Sequence, residues 1–189
     1  MTTAGAADSV FLRRRFSVDE YYKLAEAGIL TEDDRVELIE GDLIEMTPIG
    51  LRHSETVDLT ADVLKSMLAN RARVKVQNPI HLAKDTEPQP DLTVCQLREY
   101  HDSHPTPADI FLIVEVADSR IERERAKILV YARAGIREVW LVDLTTSTIE
   151  VSRGSAADGY RTLHRVHRDD KLTIEAFPDV EIPASSILR

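Results

Sequence analysis

The sequence predicts a mixed α/β (α+β) fold, and three observations carry that prediction. Residues 110–143, IFLIVEVADSRIERERAKILVYARAGIREVWLVD, read as strand, helix, strand. Ahead of them a long amphipathic helix pattern is followed by short apolar strands bounded by prolines. After Asp143 the pattern changes to short alternating strands with polar, glycine-containing turns. At 189 residues the chain is long enough for one substantial core. The expected organisation is a disordered N-terminus over residues 1–12 and a single domain over 13–189.

Taken in order, Ser17 to Ala27 is predicted helical, with Ser17 and Glu20 in capping-box spacing and Gly28 closing the last turn. VELIEGDLIEM reads as a hairpin of Val36–Ile39 and Leu43–Met46 that turns at Glu40-Gly41-Asp42. Glu37 then shares a face with Ile39, either toward a core or toward solvent on an edge hairpin. Pro48 and Gly50 precede a helix from about His53 to Asn70, with Val57, Ala61, Leu64 and Leu68 at helical spacing. His53 at its start suits a helix cap or a ligand contact. Short strands are expected at Val74–Gln77, Ile80–Leu82 and Leu92–Cys95, with Asp91 at the mouth of the last, as a turn residue or as part of a site.

The near-continuous apolar run Ile110–Val116 has the character of a strand covered on both faces. Ser119 and Glu122 fit a second capping box, and Gly135 ends the helix that follows. Val139–Val142 is the next buried strand, which makes a parallel β-α-β unit. Beyond it lie Thr148–Val151, Tyr160–Leu163 and Leu172–Ile174, expected to extend the sheet or to pack on its edge.

Composition excludes several classes. Apolar residues make up 43% and charged residues 30%, as in ordinary globular proteins. No apolar run approaches membrane-spanning length, and the first residues lack the pattern of a signal peptide. The single Cys95 cannot form an internal disulfide, which favours a reducing, cytoplasmic setting. A net charge of −9 argues against a general nucleic-acid coat protein. Phosphate-loop, dinucleotide-binding and nucleophile-elbow motifs are missing, and one cysteine cannot build a structural zinc site.

Glu115 interrupts the buried strand, where an ionised carboxylate needs a partner. Four extended residues back from Ser119 span roughly 13 Å at about 3.3 Å each. Eight helical residues forward to Lys127 span roughly 12 Å at about 1.5 Å each, so Lys127 lies level with Glu115. The plain reading of this pair is a buried ion pair. The sharper one adds Asp91 from the preceding strand: two carboxylates are the hard oxygen ligands that Mg²⁺ or Mn²⁺ prefers, and an adjacent ammonium offsets negative charge gathering on a phosphoryl group.

The segments RVELIEG (Arg35–Gly41), QNP (Gln77–Pro79), EPQPDL (Glu87–Leu92), VEVADS (Val114–Ser119), Lys127, YARAGIREVWLVD (Tyr131–Asp143) and AFPDVEIP near the end resemble the Uma2 family of endonucleases. That family lies within the PD-(D/E)xK nuclease superfamily. The resemblance implies a restriction-endonuclease-like α-β-β-β-α-β core, here with an N-terminal helix and hairpin and a C-terminal β appendage. It implies Mg²⁺-dependent hydrolysis of DNA, with Asp91 and Glu115 as the motif acids and Lys127 as a lysine moved from the strand to the following helix, since the usual position is Ala117. Glu37 is then expected to complete the metal shell, with His53, Gln77 and Glu124 as secondary candidates. Paired protomers, a homodimer, are a further expectation of the resemblance. The competing expectation is a binding or regulatory module that keeps the fold without turnover.

Overall fold

The structure is a computed structural model that describes residues 13–31, 33–119 and 121–189. The N-terminal stretch expected to be disordered lies outside the described residues. Helix α1 (Val18–Glu26) is followed by the β1–β2 hairpin (Val36–Ile39, Asp42–Glu45) and helix α2 (Leu51–Leu68). Strands β3 (Arg73–Val76), β4 (Leu92–Cys95) and β5 (Ile110–Ala117) lead to helix α3 (Ile121–Arg133) and strand β6 (Glu138–Asp143). The chain closes with β7 (Thr148–Ala156), β8 (Gly159–Val166), β9 (Lys171–Ile174), β10 (Phe177–Pro183) and a short 3-10 turn. Among the described residues no helix is long and apolar enough to cross a membrane.

The sheet has six strands in the order β3-β4-β5-β6-β7-β8. Only β5 and β6 run parallel, joined through α3 as the strand-helix-strand pattern predicts. Strand alternation then sorts β5 into two faces. Leu112, Val114 and Val116 pack with Val57, Ala61, Leu64 and Leu68 of α2, together with Trp140 and Val142. Ile113 and Ala117 pack on the other face with Ile128 and Tyr131 of α3. Glu115 sits between those two residues in the period-2 register, so the sheet itself aims its carboxylate at α3. Fully buried leucines such as Leu64 and Leu92 each stabilise this arrangement by roughly 1.5–3 kcal/mol.

The capping box of α1 forms as expected: Ser17 N–H donates to Glu20 at 3.0 Å and Glu20 N–H to Ser17 Oγ at 3.2 Å. Gly135, at φ 83°, takes the left-handed turn after α3. Two expectations need correction, and one strand had no sequence signal. Ile80–Leu82 is not a strand: Ile80 N–H reaches Pro88 O and His81 N–H reaches Pro105 O, and the nearby prolines have no N–H with which to continue a ladder. His53 does not cap α2, because the cap position is Gly50 and it carries no side-chain bond. The periodicity also passed over β10, where Pro178 interrupts the pattern and the pairing with β9 shifts register between Phe177 and Glu181. The C-terminal strands divide between two arrangements. β7 and β8 extend the sheet, and the β9–β10 pair packs Leu172, Ile174 and Ile182 into the α2-side core.

Candidate active site

Asp91 precedes β4, and Glu115 lies near the end of β5, its antiparallel neighbour. The pairing Leu92↔Val114 brings the two acids side by side across the sheet. Val116 N–H donates to Asp91 Oδ2 at 2.9 Å, and Asp91 N–H donates to Glu115 Oε2 at 3.3 Å. Each acid is therefore fastened to the other's strand. Gln77 steadies Asp91 twice: its amide side chain donates to Asp91 Oδ1 at 3.3 Å and its backbone N–H to Asp91 O at 2.9 Å. Its φ of 48° is a left-handed conformation that costs a residue with a side chain, and the carbonyl exposed by the kink accepts a bond from the Gln89 side chain.

Lys127 comes to this pair from α3. Its Nζ lies 2.9 Å from Glu115 Oε1 and 3.2 Å from Glu37 Oε2, so the reach inferred from strand rise and helix rise is realised. One helical turn on, Tyr131 donates its hydroxyl to the same Glu115 Oε1 at 2.5 Å. Tyr131 was not among the expected site residues. Its i, i+4 spacing from Lys127 was the available signal, since such residues share a helix face. Glu37 is buried rather than solvent-facing, with only 2% of its side chain exposed. Its carboxylate is taken up by Lys127, by Gln89 N–H at 3.0 Å and by Arg123 at 3.6 Å.

One ammonium thus serves two buried carboxylates, with Asp91 and Glu124 close by. Burial pushes the Glu115 carboxyl up to about 8; the Lys127 ammonium opposes the shift, while Glu124 and Asp91 add to it. Burial also raises Glu124, again against Lys127 and with Asp91 and Glu37 adding to the rise. Burial alone would lower Lys127, but Glu115, Glu37 and Glu124 outweigh it and hold the lysine charged. His53, from the first turn of α2, places Nε2 3.0 Å from Asp91 Oδ2, and that bond raises its pKa against the effect of burial. Its Nδ1 is buried with no hydrogen-bond partner among the described residues. All seven residues singled out in the sequence (Glu37, His53, Gln77, Asp91, Glu115, Glu124 and Lys127) line one cavity of about 180 Å³.

The donor set suits a hard divalent cation on two grounds. Asp91 and Glu115 present oxygen ligands, and the neighbouring acids add to the rise that burial causes at Glu115 and Glu124. Mg²⁺ characteristically binds through one or two carboxylates and completes its shell with water and substrate phosphate. Glu37 Oε2 lies 3.2 Å from Lys127 Nζ and accepts from Gln89 N–H, which fixes the lysine beside Glu115.

The fold resembles a putative nuclease belonging to DUF820 from Anabaena variabilis ATCC 29413, with a TM-score of 0.72 and 18% sequence identity over 92% of this chain and 97% of that one. No curated protein matches the chain significantly. Residues 18–185, which contain every side chain of the site, match the family Uma2, described as "putative restriction endonuclease". The chain belongs to the Uma2 family.

Proposed function

We propose that the protein is an endonuclease that hydrolyses DNA phosphodiester bonds with the help of Mg²⁺ or Mn²⁺. The observation that carries this reading is the meeting of Asp91, Glu115 and Lys127, from three separate elements, on one recessed cavity. Family membership supports it. Asp91 and Glu115 would hold the ion, which when bound polarises the phosphoryl oxygen and makes water more acidic. Lys127, charged and fixed by Glu37 and Glu115, orients the attacking water and offsets charge building on the phosphate. Gln77 and His53 keep Asp91 aligned. Attack at phosphorus breaks one P–O ester bond, and the leaving oxygen takes up a proton.

The test is cleavage of supercoiled DNA by purified protein with Mg²⁺ or Mn²⁺. Nicking that disappears with EDTA and in Asp91→Asn is the expected result; equal cutting by Asp91→Asn and Lys127→Met would sink the assignment. The enclosure of Lys127 between two carboxylates favours a second reading, a nucleic-acid-binding module without turnover. Calorimetry separates the two. A nuclease site should bind Mn²⁺ with measurable heat that falls in Glu115→Gln, and a purely structural cluster should show none.

A further inference from the structure

We infer, building on the nuclease reading, that the site takes an unpaired and flexible DNA strand rather than an intact duplex, with the Met46–Ile49 segment as an apolar ledge for the unstacked base and Arg35 as a phosphate contact. The first ground is depth. The Glu37 and Glu115 side chains are 2% exposed, Lys127 8% and Asp91 13%, whereas on the adjoining segment Ile49 is 40% exposed. A duplex is stiff over about 150 base pairs, and bending it to lower one phosphate into a recess costs several kcal/mol. A single strand dips in freely.

The second ground is the ledge itself. Met46, Pro48 and Ile49 line the cavity. None of the three belongs to either core cluster, so the core makes no use of them. The segment is nonetheless held at both ends. Arg123 donates to Thr47 Oγ1 at 3.1 Å and to Glu45 O at 2.5 Å. Arg52 donates to Asp118 Oδ1 at 3.1 Å and to Leu144 O at 3.0 Å. An apolar surface pinned outward beside a polar cavity is pre-organised for an apolar partner, and the face of a base offers one only when unstacked.

The third ground is charge. Arg35 lines the cavity, is exposed, and makes no side-chain hydrogen bond or ion pair among the described residues. Arg52 and Arg123 are committed to holding the ledge. One uncommitted guanidinium beside the lysine matches one or two phosphates at the cavity. On a chain of net charge −9, base contact has to supply what backbone neutralisation does not.

The experiment compares one DNA sequence as single strand, gapped duplex and full duplex, read by fluorescence anisotropy with Ca²⁺ and by cutting with Mn²⁺. Unpaired forms should bind about tenfold tighter than duplex, and Ile49→Ser or Arg35→Ala should each lose about five- to tenfold on the unpaired forms. Leu163→Ser, an exposed leucine on β8 outside the cavity, should bind like the parent. Equal or tighter duplex binding, parental affinity in both Ile49→Ser and Arg35→Ala, or binding confined to single-stranded RNA would overturn the inference. If Mn²⁺ cuts nothing while the strand preference and its loss persist, the nuclease reading fails and this inference stands. If Mn²⁺ supports cutting without strand preference, the nuclease reading stands and this inference fails.

Discussion

Two glutamates are buried in neighbouring strands of one sheet, and they have different consequences. Glu138, at the start of β6, is fully buried; its carboxylate accepts from Trp140 Nε1 at 2.7 Å, Arg153 at 2.8 Å and Glu175 N–H at 2.6 Å. Glu115 also has three donors, including a cation. The difference lies in the charge count. Arg153 faces one carboxylate, whereas Lys127, with Arg123 3.6 Å from Glu37, is shared between Glu115 and Glu37 with Asp91 and Glu124 in the same field. Burial of an acid is therefore uninformative by itself. Several acids sharing one cation at a cavity are what set the Glu115 cluster apart as a functional-site candidate.

The comparison breaks most visibly in stability. Removing either cation leaves a buried carboxylate uncompensated, so Arg153→Ala and Lys127→Ala should each cost about 3–5 kcal/mol in urea unfolding. If Lys127→Ala unfolded at the parental urea midpoint, the enclosure described for it would be wrong. Catalysis should then separate the two clusters. Asp91→Asn is expected to lower the cleavage rate about 10²- to 10³-fold, while Glu138→Gln, although less stable, should cut normally per folded molecule. A Glu138→Gln protein as inactive as Asp91→Asn would erase the distinction. Tyr131→Phe is a smaller perturbation: losing one hydroxyl donor to Glu115 should cost about 1.5–3 kcal/mol if the carboxylate is charged, and less if it is protonated.

The smallest effect is in pH. Because the folded-state pKa of Glu115 is raised from 4.5 to about 8, the native protein holds a proton there that the unfolded chain has lost. Its contribution to stability is complete below about 4.5 and disappears as the pH rises through about 8. Urea midpoints in EDTA should therefore fall between pH 5.5 and pH 8.5 more in the parent than in Glu115→Gln. Mn²⁺ should restore the parent at the higher pH, and an identical pH slope in the two proteins would show that Glu115 is ionised throughout.

Much of this was readable from the chain. Glu115 stood out because it broke an apolar run, and Lys127 because strand and helix rise place it level with that residue. Glu138 escaped notice because it sits at the polar end of its strand, where a charged residue is unremarked in any sequence. The positions of Glu37 and His53 were ambiguous for a related reason. Whether a hairpin face is covered, or a first-turn histidine turns inward, depends on partners such as Gln89 and Asp91 that arrive from distant parts of the chain. Ile80–Leu82 failed as a strand because its neighbours are prolines, and a ladder requires donors on both sides.

Gln77 has a consequence of its own. Its backbone is twisted into a conformation that glycine would adopt without penalty, yet its side-chain amide is what steadies Asp91. Folding and aiming therefore pull in opposite directions at this one residue, so a variant selected there only for heat resistance would be expected to drift toward glycine and to lose the alignment of its acid.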